Sequence, residues 1–510
     1  MSDSTFNNFI TGQTLFTAIE AQTGMPPGKF MRRDFVEPLI KFCLDGDFSA
    51  RIGIVYGLRS TGKTVGMLQA AKELTGRGYK AAYARFNYGT TGIREANAEI
   101  IRLAEEGCTH FFIDEAPYLG GFLNGSAEWA DSFVPQKRIK IVISGTDSFM
   151  LWTAQTMSLF HRYAQFSTNW SSYPEYKRVT GKTYDNYKSD GGILTEEDMT
   201  EFIQSAVVDN LIHTIEHCME DANRTTAYTD ILCGISPAVI YKAVISILRC
   251  VVEDSVKEHF VSNAARKNIA ELGEAISGFT LREKREIKER VAESIELYRN
   301  FTPVTRPLDV IETLIEFLVK IGCLNKYITA ENELRDNNSF VFAHNALMNF
   351  AVEETIRGIE KTGGIDQFAF DQGIRQAAEG ALNESVVFAH ILRAAKKGDK
   401  VFKYRDLENR EIDAVIINRE TKTLILAEVK SKSRIDDKRI FVNEAKHLFD
   451  SEVLKNIGAD NSFKVTRALV YRGEPEYIPH LNGALFLVNI EDFLINYKDL
   501  EAFFERIFKT

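Results

Sequence analysis

The clearest pattern in the chain is an apolar run, Arg51 to Tyr56 (RIGIVY), then a polar glycine-rich stretch, then VGMLQAAKEL with apolar positions at helical spacing. It predicts a buried strand, a loop and a helix. Ala81 to Asn87 (AAYARFN) predicts another strand, Thr91 to Leu103 a helix, THFFIDEAPYL a strand ending at Asp114, and Ile139 to Ile143 (IKIVI) a further strand. Strands separated by helices predict a parallel sheet covered on both faces, a three-layer α/β unit. From about residue 198 to 300 apolar positions recur every three or four residues, as in SPAVIYKAVISILRCVVEDSVKEHF, which predicts a helical lid or connector. Within it, LREKREIKERVAESIELYRN mixes both charge signs and reads as a solvated helix face.

Beyond Asp309 a helix ends at Gly322, a strand CLNKYI follows, and after a polar turn a second strand, FVFA, returns. That is the order of the last helix and wing of a winged-helix unit. Such units bind DNA or pack as intramolecular hinges, and only Lys320 and Lys326 lie near this wing. After the helical ALNESVVFAHILRAAKK the period changes to two, and VFKY, REIDAVIIN and TLILAEVKSK predict strands. Residues 440–456 predict a helix, TRALVYRG a strand, and ALFLVNIEDFLINY a strand running into a terminal helix, which completes a second α/β core. The expected division is therefore 1–190, 191–300, 301–365 and 366–510.

Bulk numbers narrow the class. A length of 510 residues suits three or four domains, and 45 % hydrophobic with 26 % charged residues is the composition of globular protein. No run of about 18 apolar residues is present to span a membrane, and MSDSTFNNFITGQ lacks the basic start and apolar run of a signal peptide. A soluble cytoplasmic protein with no membrane partner is expected. The six cysteines include no C-x-x-C pair, which argues against a zinc ribbon or a disulfide framework. His213 and His217 stand four apart without a third ligand nearby and read as helix-surface residues. With a net charge of −9, any nucleic-acid contact must be local.

The stretch after the first strand, GLRSTGKT, satisfies G-x-x-x-x-G-K-[ST] in the strand, loop and helix context that phosphate binding requires. Gly57, Leu58, Arg59, Ser60, Thr61 and Gly62 would curl their amides around a β-phosphate, with Val65 in the first helical turn adding its share of the helix N-terminus. Lys63 would reach the β- and γ-phosphates, and Thr64 would ligate Mg²⁺. Asp114 is the expected acidic partner of the Mg²⁺, and Glu115 is placed to polarise an attacking water. Polar residues at the carboxyl end of a core strand border the ligand crevice, so Ser144, Thr146 or Asp147 would sense the γ-phosphate. ATP with Mg²⁺ is the expected ligand. The long helical continuation suits a motor or switch ATPase better than a compact P-loop kinase.

A second acidic site is expected near the C-terminus. Alternation on a strand puts Glu428 and Lys430 on one side, and pairing of adjacent strands puts Asp413 beside Glu428. Two carboxylates can share Mg²⁺ or Mn²⁺, with Lys430 orienting a water or neutralising phosphoryl charge, and Glu384 from the preceding helix would complete the set. A surface hairpin with ordinary charges is the bland alternative. The apolar neighbours Ile412, Ala414, Val415 and Leu426 count against it. Basic residues from Arg393 to Arg405 and from Lys432 to Arg439 suit a phosphate backbone.

The chain resembles the prokaryotic AAA-type ATPases of the archaeal-ATPase and DUF4143/DUF234 group over most of residues 30 to 510. The resemblance rests on GLRSTGKT, FFIDEA, ISGTDSFML, SLFHRYAQFS followed by SYPEY, and NES…EIDAVI…AEVKSK. It implies a P-loop ATPase domain, a winged-helix region and a C-terminal PD-(D/E)xK, restriction-endonuclease-like α/β domain, with Glu384, Asp413, Glu428 and Lys430 as the nuclease-like residues. Where the group has a glycine–arginine pair, this chain has His161-Arg162, so Arg162 inherits a phosphate-sensing role from its own or a neighbouring subunit. The leading expectation is an ATP-hydrolysing, Mg²⁺-dependent switch whose C-terminal domain binds or cuts nucleic acid, with DNA as the candidate partner. The alternative is a nucleotide-controlled module in which that domain is a non-catalytic docking surface for a protein partner. The oligomeric state is left open.

Overall fold

The computed structural model describes residues 9–12, 31–48, 51–57, 61–87, 91–145, 159–168, 171–191, 323–330, 336–342, 347–353, 367–405, 410–431 and 442–508, with isolated positions within 14–17, 151–155, 244–251 and 314–319. Apart from Gly191 and the positions within 244–251, the expected connector with its His213 and His217 lies outside the described residues, as do Leu58, Arg59, Ser60, Thr146, Asp147 and the basic residues from Lys432 to Arg439.

The first sheet has the order β1-β3-β4-β5-β2-β6. Its strands are β1 Phe9–Thr11, β2 Ile52–Tyr56, β3 Ala81–Arg85, β4 His110–Asp114, β5 Lys140–Gly145 and β6 Tyr163–Ser167. Neighbours from β3 to β6 pair parallel, as expected, and β1 adds an antiparallel edge. Every residue of β4 and β5 is buried, the signature of strands covered on both faces. On one face lie α1 (Val36–Leu44) and α2 (Lys63–Gly76), where Leu39, Met67 and Leu68 pack with Val55 and Phe112. On the other lie α3 (Ile93–Glu105) and the helical stretch from Phe122 to Lys137, where Ile100 and Trp129 pack with Ile54 and Phe111. Gly66 permits the close approach of α2 to the residue before α1, because a Cβ there would lie 2.2 Å from Phe35 Cζ.

The second sheet has the order β13-β14-β12-β11-β10-β9-β7-β8. After the long helix Gln367–Ala394, β9 (Asp399–Arg405), β10 (Glu411–Asn418) and β11 (Thr423–Val429) form an antiparallel meander. β12 (Lys464–Tyr471) then pairs parallel with β11, and β14 (Gly483–Asn489) parallel with β12, while β13 (Glu476–His480) is the antiparallel edge. A long helix, three antiparallel strands, a helical segment and two parallel strands with an antiparallel edge make up this second α/β unit.

Two expectations change. The hairpin β7 (Leu324–Ala330) and β8 (Asp336–Phe342) exists, but β7 pairs parallel with β9 through Thr329–Lys403 and Ala330–Tyr404. It therefore extends the second sheet and occupies the ladder groups of β9 that a free edge would expose. The single helix expected over 440–456 is broken into a 3₁₀ turn at Lys446–Phe449 and a helix at Ser451–Asn456, because Asp450 turns extended and its side chain accepts from Glu452 N.

The helices α4 (Tyr173–Thr180) and α5 (Tyr184–Asp190) follow the first sheet in sequence but are built into the core of the second. Tyr173, Tyr176, Tyr184 and Tyr187 are buried with Val387, Phe388, Val470 and Phe493. Tyr173 N donates to His390 Nε2 at 2.9 Å, so that nitrogen is the acceptor and Nδ1 donates to Val386 O at 2.7 Å. The ring is thereby held neutral, and burial pushes its pKa down to about 4. Among the described residues Cys43, Cys108 and Cys323 are buried free thiols, and no helix is long and apolar enough to cross a membrane.

The His390 contact generates a pH dependence. Its folded pKa of about 4 lies below the usual 6.5, so the unfolded chain takes up the proton more readily between those values. The contribution is complete above the usual value and is lost as pH falls toward the folded one, on the order of 3 kcal/mol in all. Thermal melts from pH 7 to 4 should show the parent losing more stability than His390→Gln; parallel pH profiles would count against the neutral-ring contact.

Candidate nucleotide site and second acidic site

β2 delivers the chain to Gly57, and Gly62 closes the loop with φ 87°, a left-handed conformation that favours glycine, before α2 starts at Lys63. Lys63 is buried, and its Nζ donates to Gly57 O at 2.7 Å, so the ammonium lies across the loop it serves. Val65 lies in the first turn of α2, a 14-residue helix.

Asp114 is fully buried at the end of β4. Its Oδ2 accepts from Thr64 Oγ1 at 2.6 Å and from Tyr83 OH at 2.9 Å, and its Oδ1 accepts from Ser144 Oγ and from Glu115 N at 3.2 Å. β5 lies between β2 and β4, so this acid stands two strands from the strand that feeds the loop. Parallel order brings all the carboxyl ends to one edge. Glu115 follows with φ 55°, an uncommon value for a residue with a side chain, and is buried beside the site. An ammonium, a hydroxyl and a carboxylate at one helix N-terminus form a donor set that fits a magnesium-bound polyphosphate. Thr64 and Asp114 are the groups that would hold the cation.

Ser144 belongs to β5 and bonds Asp114, which makes it a neighbour of that acid; of the three candidate sensors, it alone falls among the described residues. Arg162 is at the other edge of the sheet. Its carbonyl accepts from Ile52 N at the amino end of β2, and β2 spans roughly 13 Å at ~3.3 Å per residue before the loop begins. That places Arg162 at the end of β2 opposite the loop, where its guanidinium pairs with Asp131. His161 takes φ 59°, the left-handed turn that a glycine would adopt at less cost.

The second site gathers the four expected residues. Glu428 and Lys430 share one side, with Nζ to Oε2 at 3.1 Å, and the antiparallel register pairing Ala414 with Ala427 brings Asp413 opposite Glu428. Burial raises the Asp413 carboxyl well above its usual range, and the charges of Glu384 and Glu428 raise it further. Burial also pushes Glu428 up, yet Lys430 and the His447 hydrogen bond outweigh it and leave that carboxyl below its usual range. The Glu428 charge raises the Lys430 ammonium.

Each of these carboxylates has a partner within the protein. Asp413 Oδ2 accepts from Val429 N at 2.7 Å, Glu428 Oε1 meets His447 Nε2 at 2.7 Å, and Glu384 pairs with Lys403 at 3.7 Å. Among the described residues no three His, Cys, Asp or Glu side chains converge closely enough to form a ready-made metal cluster. Sequence reasoning missed His447, which comes 19 residues after Glu428 in an unremarkable helical stretch, and Tyr83, which reads only as a strand residue.

Residues 49–177 match the family model described as an AAA domain, and residues 379–466 match that of a domain of unknown function, DUF4143. No match was found among curated proteins. Among solved structures, the Aeropyrum pernix ORC1 protein in complex with DNA is similar at 12 % identity and TM-score 0.24, over 66 % of this chain and 96 % of that one. C. elegans PCH-2 is similar at 15 % identity and TM-score 0.21, over 47 % and 65 %. With its P-loop set beside a buried acid on a parallel sheet, the segment 49–177 is similar in sequence to an AAA domain, and a segment similar to DUF4143 follows it in the same chain.

Proposed function

We propose that the protein is an ATP-binding and ATP-hydrolysing switch that uses Mg²⁺, and that its C-terminal unit is a docking surface controlled by the nucleotide. The observation carrying the first half is the 2.6 Å contact of Thr64 with Asp114 beside the buried Lys63. The donors on Asp114 are hydroxyls and one amide, so no side-chain cation competes there with a divalent ion. When bound, that ion supplies charge neutralisation at the phosphates. Lys63 would bind and orient the β- and γ-phosphoryl oxygens, Thr64 and Asp114 would hold the cation, and Glu115 would hold the attacking water and accept its proton. Arg162, at the far edge of the sheet, would meet a triphosphate only across a contact with a second copy of the chain.

For the second half, the pairing of Glu428 with Lys430 and of Glu384 with Lys403 offsets charge that a catalytic cation would need. Arg405 and Arg410 are likewise paired, with Glu411 and Asp450. These contacts favour docking of a protein partner. The rival reading, metal-dependent binding or cleavage of DNA, is supported by the gathering of Glu384, Asp413, Glu428 and Lys430 at one place.

Three substitutions test these roles. Lys63→Ala should abolish nucleotide binding in a titration with a fluorescent ATP analogue. Glu115→Gln should keep that binding and slow steady-state hydrolysis by about two orders of magnitude or more; equal turnover in parent and variant would reject its role. With Mg²⁺ or Mn²⁺ present, the parent should cut single- and double-stranded DNA no faster than Asp413→Ala, in any nucleotide state. Cleavage by the parent that Asp413→Ala loses would replace docking by nuclease chemistry.

A further inference from the structure

Away from both acidic sites, a buried ion pair sits behind the P-loop. Arg33 and Glu175 are 5 % and 4 % exposed, and Nε meets Oε1 at 2.6 Å while Nη2 meets Oε2 at 3.4 Å. The guanidinium is also turned to the loop, since Nη1 donates to Thr61 O at 2.5 Å and to Thr168 O at 3.4 Å. Thr61 and Thr168 share a hydroxyl contact of 2.6 Å, and Thr168 N and Oγ1 donate to Tyr56 O, the last residue of β2, at 2.9 and 3.2 Å. Both ends of the P-loop are thus held by the pair and its threonines.

Glu175 is the other end of the clamp. It lies on α4, which shares the core of the second sheet, and its Oε1 additionally accepts Asp34 N at 2.8 Å. From that region Tyr184 OH on α5 donates to Asn383 Oδ1 at 2.8 Å, and Asn383 Nδ2 donates to Ser431 Oγ at 3.4 Å. Asn383 precedes Glu384, and Ser431 follows Lys430. Buried and part-buried polar contacts, bridged by the packed rings of Tyr173 and Tyr184 at 5.5 Å, therefore lead from the phosphate loop to the residues flanking Glu384 and Lys430.

A buried pair of this kind is a poor way to gain stability, because apolar side chains of similar volume usually do as well. What a planar guanidinium fork does supply is direction, since it fixes two acceptors relative to each other where an ammonium would not. Here the two acceptors are a P-loop carbonyl and a carboxylate on a helix of the other core. Phosphate binding sets the orientation of the loop peptides, so it acts directly on the group that Arg33 holds.

We infer that Arg33 and Glu175 are positioning residues for the P-loop and that they link its occupancy to the C-terminal site, so that nucleotide and the surroundings of Asn383 and Ser431 bias each other. The linkage rests on the nucleotide reading above, and by thermodynamic necessity it runs in both directions.

Hydrogen exchange of the full chain, with and without saturating adenylyl imidodiphosphate and Mg²⁺, tests it. In the parent the nucleotide should slow exchange by about five-fold or more over residues 381–394 as well as at the loop. Glu175→Gln and the gentler Thr168→Val, each at an analogue concentration that saturates the variant, should slow exchange at 61–66 but lose the response at 381–394. Arg33→Lys, which keeps the charge without the fork, should lose it too. A merely structural role would instead lower protection in these variants without nucleotide and leave the nucleotide-induced difference intact. A parent that binds the analogue with no change at 381–394, or variants that transmit as the parent does, would overturn the linkage alone. A folded parent that binds no analogue would overturn the nucleotide reading and the linkage with it.

Discussion

The structure of the nucleotide site turns on one buried carboxylate. A carboxylate buried this deeply needs partners for both oxygens, and those of Asp114 come from α2, β3, β5 and the backbone amide of Glu115 just after β4. Hydrogen bonds to a charged acceptor contribute about 1.5–3 kcal/mol each. To make them at once, the carboxyl ends of the strands must arrive at the same level and α2 must begin within reach of β4. The strand order and the place where the P-loop opens into its helix are therefore constrained by the same group that would hold the cation.

The two acidic sites use similar residues to opposite effect. Asp114 is bonded by neutral donors, which satisfy geometry without cancelling charge. Glu428 is bonded by Lys430 and His447, and the nearby Asp413 is raised by burial and by the charges of Glu384 and Glu428 around it. Like charges brought close in a buried place cannot all ionise without compensation. In the C-terminal site that compensation is built from side chains, which is why a similar inventory of acids and a lysine leads to a different functional reading there.

A third buried electrostatic feature, the Arg33–Glu175 pair, connects the two regions. Removing one member of such a pair typically costs ~3–5 kcal/mol because the other charge is stranded. The constraint explains why α4, which lies next to β6 in sequence, can belong to the core of the second sheet without releasing its hold on the first.

Much of the first unit was legible in the sequence, because buried parallel strands and their helices leave unbroken apolar runs and helical periods, and because a phosphate loop needs glycine, lysine and a hydroxyl at fixed spacing. GLRSTGKT, the acid at the end of FFID and the alternation that puts Glu428 and Lys430 on one side are local facts, fixed by backbone geometry within a few residues. What the tertiary structure decided is who meets whom across large sequence separation. Tyr83 on Asp114, Arg33 on Glu175 and Thr61, His447 on Glu428, the hairpin β7–β8 on β9, and Arg162 at the far edge from the phosphates have no periodicity or motif to announce them. Such partnerships depend on strand order and helix packing, which a residue pattern constrains only after the chain has closed on itself.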